Sequence, residues 1–138
     1  MTPAEMDAVL DRHFAAEAAH DLETLLGTLT EDAEHDVVGM GVLVGREAIA
    51  ERYRMLFAQA DEEKYEPVRR YHGDGFVVDE VLATQRIVND DFGPQARGKV
   101  VRYRILHVCE FRDGLMSREN VWLDTASLMA QVSATTGT

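Results

Sequence analysis

Cysteine is almost missing from this chain of 138 residues. Cys109 stands alone, and a single thiol excludes an internal disulfide. Disulfides mark oxidising compartments, so a cytosolic setting is expected. Long apolar runs are missing too: nothing reaches the roughly 18 residues that a membrane-spanning helix needs. The first residues, MTPAEMDAVLDRH, carry acids early, where a secretory leader would carry basic and then apolar residues. Basic residues are scarce, with 14 Lys and Arg against 25 Asp and Glu and a formal charge of −11. Binding a phosphate backbone needs clustered cations, and Arg69-Arg70 with Arg102 and Arg104 are too few. Nucleic acid and membranes are therefore not expected partners. A neutral or cationic small molecule, or another protein, fits better. Nucleotide-binding glycine loops, nucleophile elbows and local metal-ligand spacings such as HxH or HExxH are absent. No cofactor and no metal are expected.

What is present is an ordinary globular balance, 46% hydrophobic and 28% charged, in a chain long enough for one domain with a core. Helical periodicity fills the first half. Over residues 4–20, Met6, Val9, Leu10, His13, Phe14 and Glu17 follow the i, i+3, i+4, i+7 spacing, with Pro3 and Glu5 suited to the first turn. A short second helix is predicted from an Asp21 N-cap through Leu22, Leu25, Leu26 and Leu29, ended by Thr30-Glu31-Asp32. Ala33 to Val38 reads as a short strand. Gly39, Gly41 and Gly45 then read as a loop, and REAIAERYRMLFAQA as a third helix with Ile49, Tyr53, Leu56, Phe57 and Ala60 on one stripe. The run Asp61-Glu62-Glu63 reads as solvated surface.

From Lys64 the pattern is that of strands. KYEPVRRY contains Pro67, which suits an edge. His72 to Gly75 is a predicted turn, Phe76 to Asn89 a long strand, and Asp90 to Gly98 a loop. Two long strands follow, joined at Arg112-Asp113-Gly114, a strong hairpin signal. Period two places Tyr103, Ile105, His107, Cys109 and Phe111 on one face of the first of these strands. His107 thus interrupts an apolar row. The residues after Asp124 predict a short helix, SLMAQ, and then a fraying end. Helices gathered on one side of an antiparallel meander give an α+β class.

Three segments, HFAAEAAHDLETLLGTLTEDAEHDVVG, GREAIAERYRMLF and HVCEFRDGLMSRENVWLD, in this order and spacing, resemble the ketosteroid-isomerase and SnoaL-like group of the NTF2-like superfamily. The resemblance covers nearly the whole chain. It implies a curved, antiparallel or mixed sheet wrapped by three N-terminal helices into a cone around an apolar pocket. Residues 1–132 would form one such domain, with 133–138 a flexible tail. It also implies a homodimer through the convex sheet face, where Leu106 and Val108 lie among arginines. Matched to the ketosteroid isomerases, His13 and His107 fall at the two positions that donate hydrogen bonds to an enolate. Asp36 falls at the proton-shuttling base, although counting forward from Asp32 brings His35 to the pocket instead. Both alternatives stand on the sequence. The epoxide-hydrolase branch is disfavoured, because its key positions correspond to Val81, Ala83 and Val121.

The implied activity is cofactor-independent acid/base chemistry on a small, largely apolar carbonyl compound: isomerisation, cyclisation or dehydration through an enolate. Candidate catalytic residues are Asp36, His107, His13 and His35. Tyr53, Phe57, Met40, Tyr103, Trp122, Asp124 and Phe14 are candidate substrate contacts. A histidine on an apolar face is often a hydrogen-bonded core residue, so the alternative is a non-catalytic small-molecule-binding or dimerisation domain.

Overall fold

In the computed structural model, residues 1–134 are described. The elements are α1 (Pro3–Ala18), α2 (Leu22–Leu26), β1 (Leu29–Val37), β2 (Gly41–Val44), α3 (Arg46–Gln59), β3 (Ala60–Gly73), β4 (Phe76–Ile87), β5 (Val100–Arg112), β6 (Leu115–Leu123) and α4 (Thr125–Ser133). A single 3-10 turn, Pro94–Ala96, interrupts the loop before β5. The strands form one curved, unclosed sheet in the order β2-β1-β6-β5-β4-β3. All neighbours are antiparallel except β1 and β6, which run parallel. Most of the predicted tail, residues 135–138, lies outside the described residues.

Local chemistry sets the ends of the helices. Thr2 caps α1 in a reciprocal capping box with Glu5, and Pro3 occupies the first turn. Asp21 caps α2 through the Thr24 amide. Asp124 caps α4 through the Ser127 amide. Helix α1 packs against β3 and β6, α3 against β1, β2 and β3, and α4 against β5. Their apolar stripes meet the inner face of the sheet, where Val77, Val81, Ala83, Val101, Tyr103, Ile105 and Cys109 are buried.

Three local readings are corrected. Thr30-Glu31-Asp32 does not end α2 but belongs to β1, which is fastened to β6 from its start by the Met116 amide on the Thr28 carbonyl (2.9 Å). The glycine loop after Val37 contains β2, whose exposed Val42 and Val44 form the free edge of the sheet. The acidic run 61–63 opens β3. There the pairing register shifts between Asp61 and Lys64, with Glu62 at φ 54, and Glu63 is turned inward to meet His20 at 2.7 Å. The expected four-strand meander is β3 to β6; β1 joins it parallel to β6, and β2 adds a sixth strand at the edge.

The β5–β6 turn forms as the sequence predicts. Asp113 (φ 54) and Gly114 (φ 80) both lie in the left-handed region, as a two-residue turn with a matching twist requires. A β-branched side chain is strained in that conformation. Gly114→Val is expected to lower unfolding stability by about 1–2 kcal/mol, read as a lower urea midpoint at unchanged slope.

Candidate active site

Period two decides what reaches the concave side of the sheet. On β5, His107 is buried in the row Tyr103, Ile105, Cys109. On β1, the inward row is Ala33, His35, Val37, so His35 and not Asp36 faces inward. Strand β6 carries an irregularity between the pairs Phe111–Met116 and Glu110–Arg118. This extra residue changes the phase, so Met116 and then Glu119 and Val121 point in. Glu119 lies beside His35 on the parallel neighbour β1 and opposite Cys109 on β5.

These residues floor a cavity of about 420 Å3. Its walls are largely apolar, with Tyr53, Phe57, Tyr103, Ile105, Val121 and Leu123 among them; its polar lining includes Glu17, His35, His107 and Glu119. Of the predicted contacts, Tyr53, Phe57, Met40 and Tyr103 line this cavity. Phe14 does not. It is buried behind the wall, its ring 4.9 Å from that of His107.

Four other expected site residues do not line the cavity. Asp36 lies on the outer face, its carboxylate bonded to Arg118 (2.9 Å), and takes no part in the cavity. Trp122 is also on the outer face, 43% exposed, because the irregularity in β6 turns Val121 and Leu123 inward instead. Asp124 is the cap of α4, outside the cavity lining. His13 is fully buried but sits behind the cavity floor rather than on it.

The protons of the cluster can be assigned from its hydrogen bonds. The Thr28 hydroxyl donates to the Leu25 carbonyl (2.6 Å), so at its 2.9 Å contact with His13 Nδ1 it can only accept. His13 Nδ1 is therefore protonated. Its Nε2 lies 3.0 Å from Glu119 Oε2, and an unprotonated nitrogen facing a carboxylate there would repel it. Oε2 makes no directed hydrogen bond, so charge holds this contact. The result is a buried imidazolium–carboxylate pair. Burial penalises both charges, yet the pairing wins: Glu119 is held well below the usual carboxylate range and His13 is raised above the usual imidazole range.

Glu119 Oε1 faces the two remaining rings, 3.8 Å from His35 Nε2 and 4.0 Å from His107 Nε2. Arg52, only 7% exposed, sets the His35 tautomer. Its Nη1 lies 3.4 Å from His35 Nδ1 while Nη2 donates to the carbonyls of Met40 and Gly41. A guanidinium can only donate, so His35 Nδ1 accepts and Nε2 carries the proton, 3.5 Å from the Tyr53 hydroxyl. His107 is pushed below the usual imidazole range by burial, the neighbouring anions notwithstanding, and its ring is neutral at pH 7. Glu17 moves the opposite way from Glu119. Burial raises its carboxyl, the His13 charge offsets this in part, and Glu119 raises it further.

Sequence reasoning missed Glu17, Glu119 and Arg52. Glu17 did fall on the apolar stripe of α1, one turn after His13, which is an unusual place for an acid. Among the described residues, no group of three or more His, Cys, Asp or Glu side chains is placed to hold one metal ion. Among the described residues, no helix is long and apolar enough to cross a membrane.

The His13–Glu119 pair has a pH signature. Glu119, with its pKa depressed, contributes stability above the ordinary carboxylate value of 4.5 and loses it as pH falls through its folded pKa. His13, with its pKa raised, contributes fully below 6.5 and loses it as pH rises through its folded pKa. Thermal stability is expected to peak between these values. Glu119→Gln should cost about 3–5 kcal/mol there and less at either extreme, as thermal melts across pH will read.

The SnoaL-like domain family matches residues 10–119. No curated protein matches the chain in sequence. Solved structures share its fold. A candidate polyketide cyclase from Xanthomonas campestris pv. campestris is 21% identical, with a TM-score of 0.86 over 94% of this chain and 98% of that one. TerC, co-crystallised with polyporic acid, is 17% identical, with a TM-score of 0.77 over 94% and 99%. A protein from Catenulispora acidiphila with a ketosteroid isomerase-like fold, in complex with trimethylamine, is 15% identical, with a TM-score of 0.77 over 96% and 94%. The curved sheet, its helices and the match over most of the chain agree: the chain belongs to the SnoaL-like domain family.

Proposed function

We propose that the chain is a cofactor-independent acid/base catalyst that moves a proton alpha to the carbonyl of a small, largely apolar compound. The observation that carries this reading is the pair of buried imidazoles, His35 and His107, that face one anionic carboxylate oxygen at the floor of a largely apolar cavity. A ring kept neutral by burial is a competent base at neutral pH. His107 would take the α-proton. The electrons of the broken C–H bond form the enolate double bond, and the carbonyl oxygen gains the negative charge. His35, with its proton on Nε2, would donate to that oxygen, as neutral imidazole can. Glu119 would stabilise the imidazolium formed on His107. The enolate then regains a proton at another carbon, attacks a second carbonyl or expels a β-hydroxyl as water. These outcomes are isomerisation, cyclisation and dehydration.

Two relatives by fold support a ligand of this kind. One is a candidate polyketide cyclase, and another was co-crystallised with polyporic acid. The trimethylamine complex of a third favours a second reading, a binding module without turnover. The test is exchange of α-protons for deuterium in D2O, read by NMR on a panel of cyclic enones and 1,3-diketones. The wild-type chain should exchange at least one of them. His107→Gln and His35→Gln should each lose about 10²-fold or more with an unchanged far-UV spectrum, while Asp36→Asn should retain the activity. Thermal stabilisation by these compounds without any exchange would establish the binding module instead.

The proposed partner of the outer sheet face is a second copy of the chain. Leu106 (39% exposed) and Trp122 (43%) are cross-strand neighbours there, an apolar pair without intramolecular cover. Sedimentation should give a dimer that Trp122→Arg converts to monomer. A wild-type chain monomeric at high concentration refutes this.

A further inference from the structure

Asp79 stands in the middle of the inward row of β4, between Val77 and Val81, and is 1% exposed. It is the direct cross-strand partner of His107 on β5. One oxygen, Oδ1, accepts from Arg70 Nε at 2.8 Å. The other, Oδ2, is buried without a partner, and so is His107 Nδ1. Two orphaned polar atoms thus occur on directly opposed residues, whose Cβ atoms in such a pair lie about 5 Å apart. Unpaired buried polar groups are costly and rare. Asp79 as a carboxylate can only accept. The protonation state of the ring that suits this anion is the one with the proton on Nδ1, since Nε2 is the nitrogen that stands near Glu119.

We propose that Asp79 is the positioning residue of His107. Its carboxylate, opposed to the ring across the strands and not in hydrogen-bond contact with it, draws the ring proton to Nδ1 by its charge and so leaves the Nε2 lone pair to the cavity. The inference rests on the acid/base reading of the cavity for its catalytic meaning. The protonation pattern itself does not depend on turnover. Two features of the surroundings agree with it. Nδ1 is sealed from the cavity, which leaves Nε2 as the nitrogen that a ligand can meet. Asp79 is also held rigidly. Its partner Arg70 reaches back to α1, to Asp7 at 3.0 Å and Asp11 at 2.9 Å, so the carboxylate cannot swing away. The charged and titratable groups that face the His107 ring are Asp79 from β4, Glu119 from β6 and His13 from α1.

The test is 15N NMR of the full chain with labelled histidine, in which the His107 signals are assigned by their loss in His107→Gln. The wild-type ring should carry its proton on Nδ1 in the neutral form. Asp79→Asn should shift the ring toward the Nε2–H tautomer and lower its titration by on the order of one unit, the effect of removing one nearby opposite charge. Asp79→Glu should restore the wild-type tautomer. A wild-type neutral ring with its proton on Nε2 overturns the proposal, even if Asp79→Asn does not fold. A folded Asp79→Asn with unchanged tautomer and titration overturns it too. Neither readout involves substrate, so failure here is separable from failure of the proposed activity.

Discussion

Glu119 is the constraint around which the interior is arranged. A carboxylate 3% exposed inside an apolar core is stable only with a counter-charge and polar neighbours. His13 supplies the charge from α1. Thr28, its hydroxyl committed to Leu25, keeps the far side of that ring protonated. Tyr53 from α3 adds its hydroxyl 3.4 Å from the same imidazole. His35 and His107 present their Nε2 atoms from β1 and β5. One buried charge thereby ties two helices and three strands to a common centre, and that centre is the floor of the cavity.

The same charge explains why two acids in one cavity are tuned apart. His13 satisfies Glu119 at close range, and the carboxylate stays ionised. Glu17, on the helix that carries His13, feels burial and the Glu119 anion, and its carboxyl is raised. Carboxyls separated in this way, beside a neutral imidazole, are the pattern that acid/base chemistry uses at neutral pH. The proposed activity uses the ionised Glu119 of this pair, and the proposed role of Asp79 rests on a second buried acid across β4 and β5. There an arginine fixes one oxygen and leaves the other without a partner behind the ring.

Much of the fold was legible in the sequence, because its signals are local. The apolar stripe of α1, the Asp21 cap, the Asp113-Gly114 turn and the alternation around His107 each need only a few consecutive residues. The site was legible only in part. His35 against Asp36 could not be separated, since one residue of slip exchanges the two faces of β1. Trp122 was expected in the cavity and lies outside, because an irregularity near Ser117 changes the phase of β6. Glu119 was overlooked for the same reason. Glu63 reads in the sequence as part of a solvated acidic run and Asp79 carries no mark there; both turn inward once the strands that carry them are placed with one side against the helices.

The sequence by itself determined the α+β class, the helical and strand periods, and a histidine on the inner face of β5. These depend on backbone propensity and apolar spacing within single elements. The tertiary structure alone decided which titratable groups meet. Glu119, His13, His35 and His107 lie on four different elements, and their protonation depends on distances of 3–4 Å across them. Electrostatic coupling of this kind is set by separation and burial, and neither is written in any one stretch of chain.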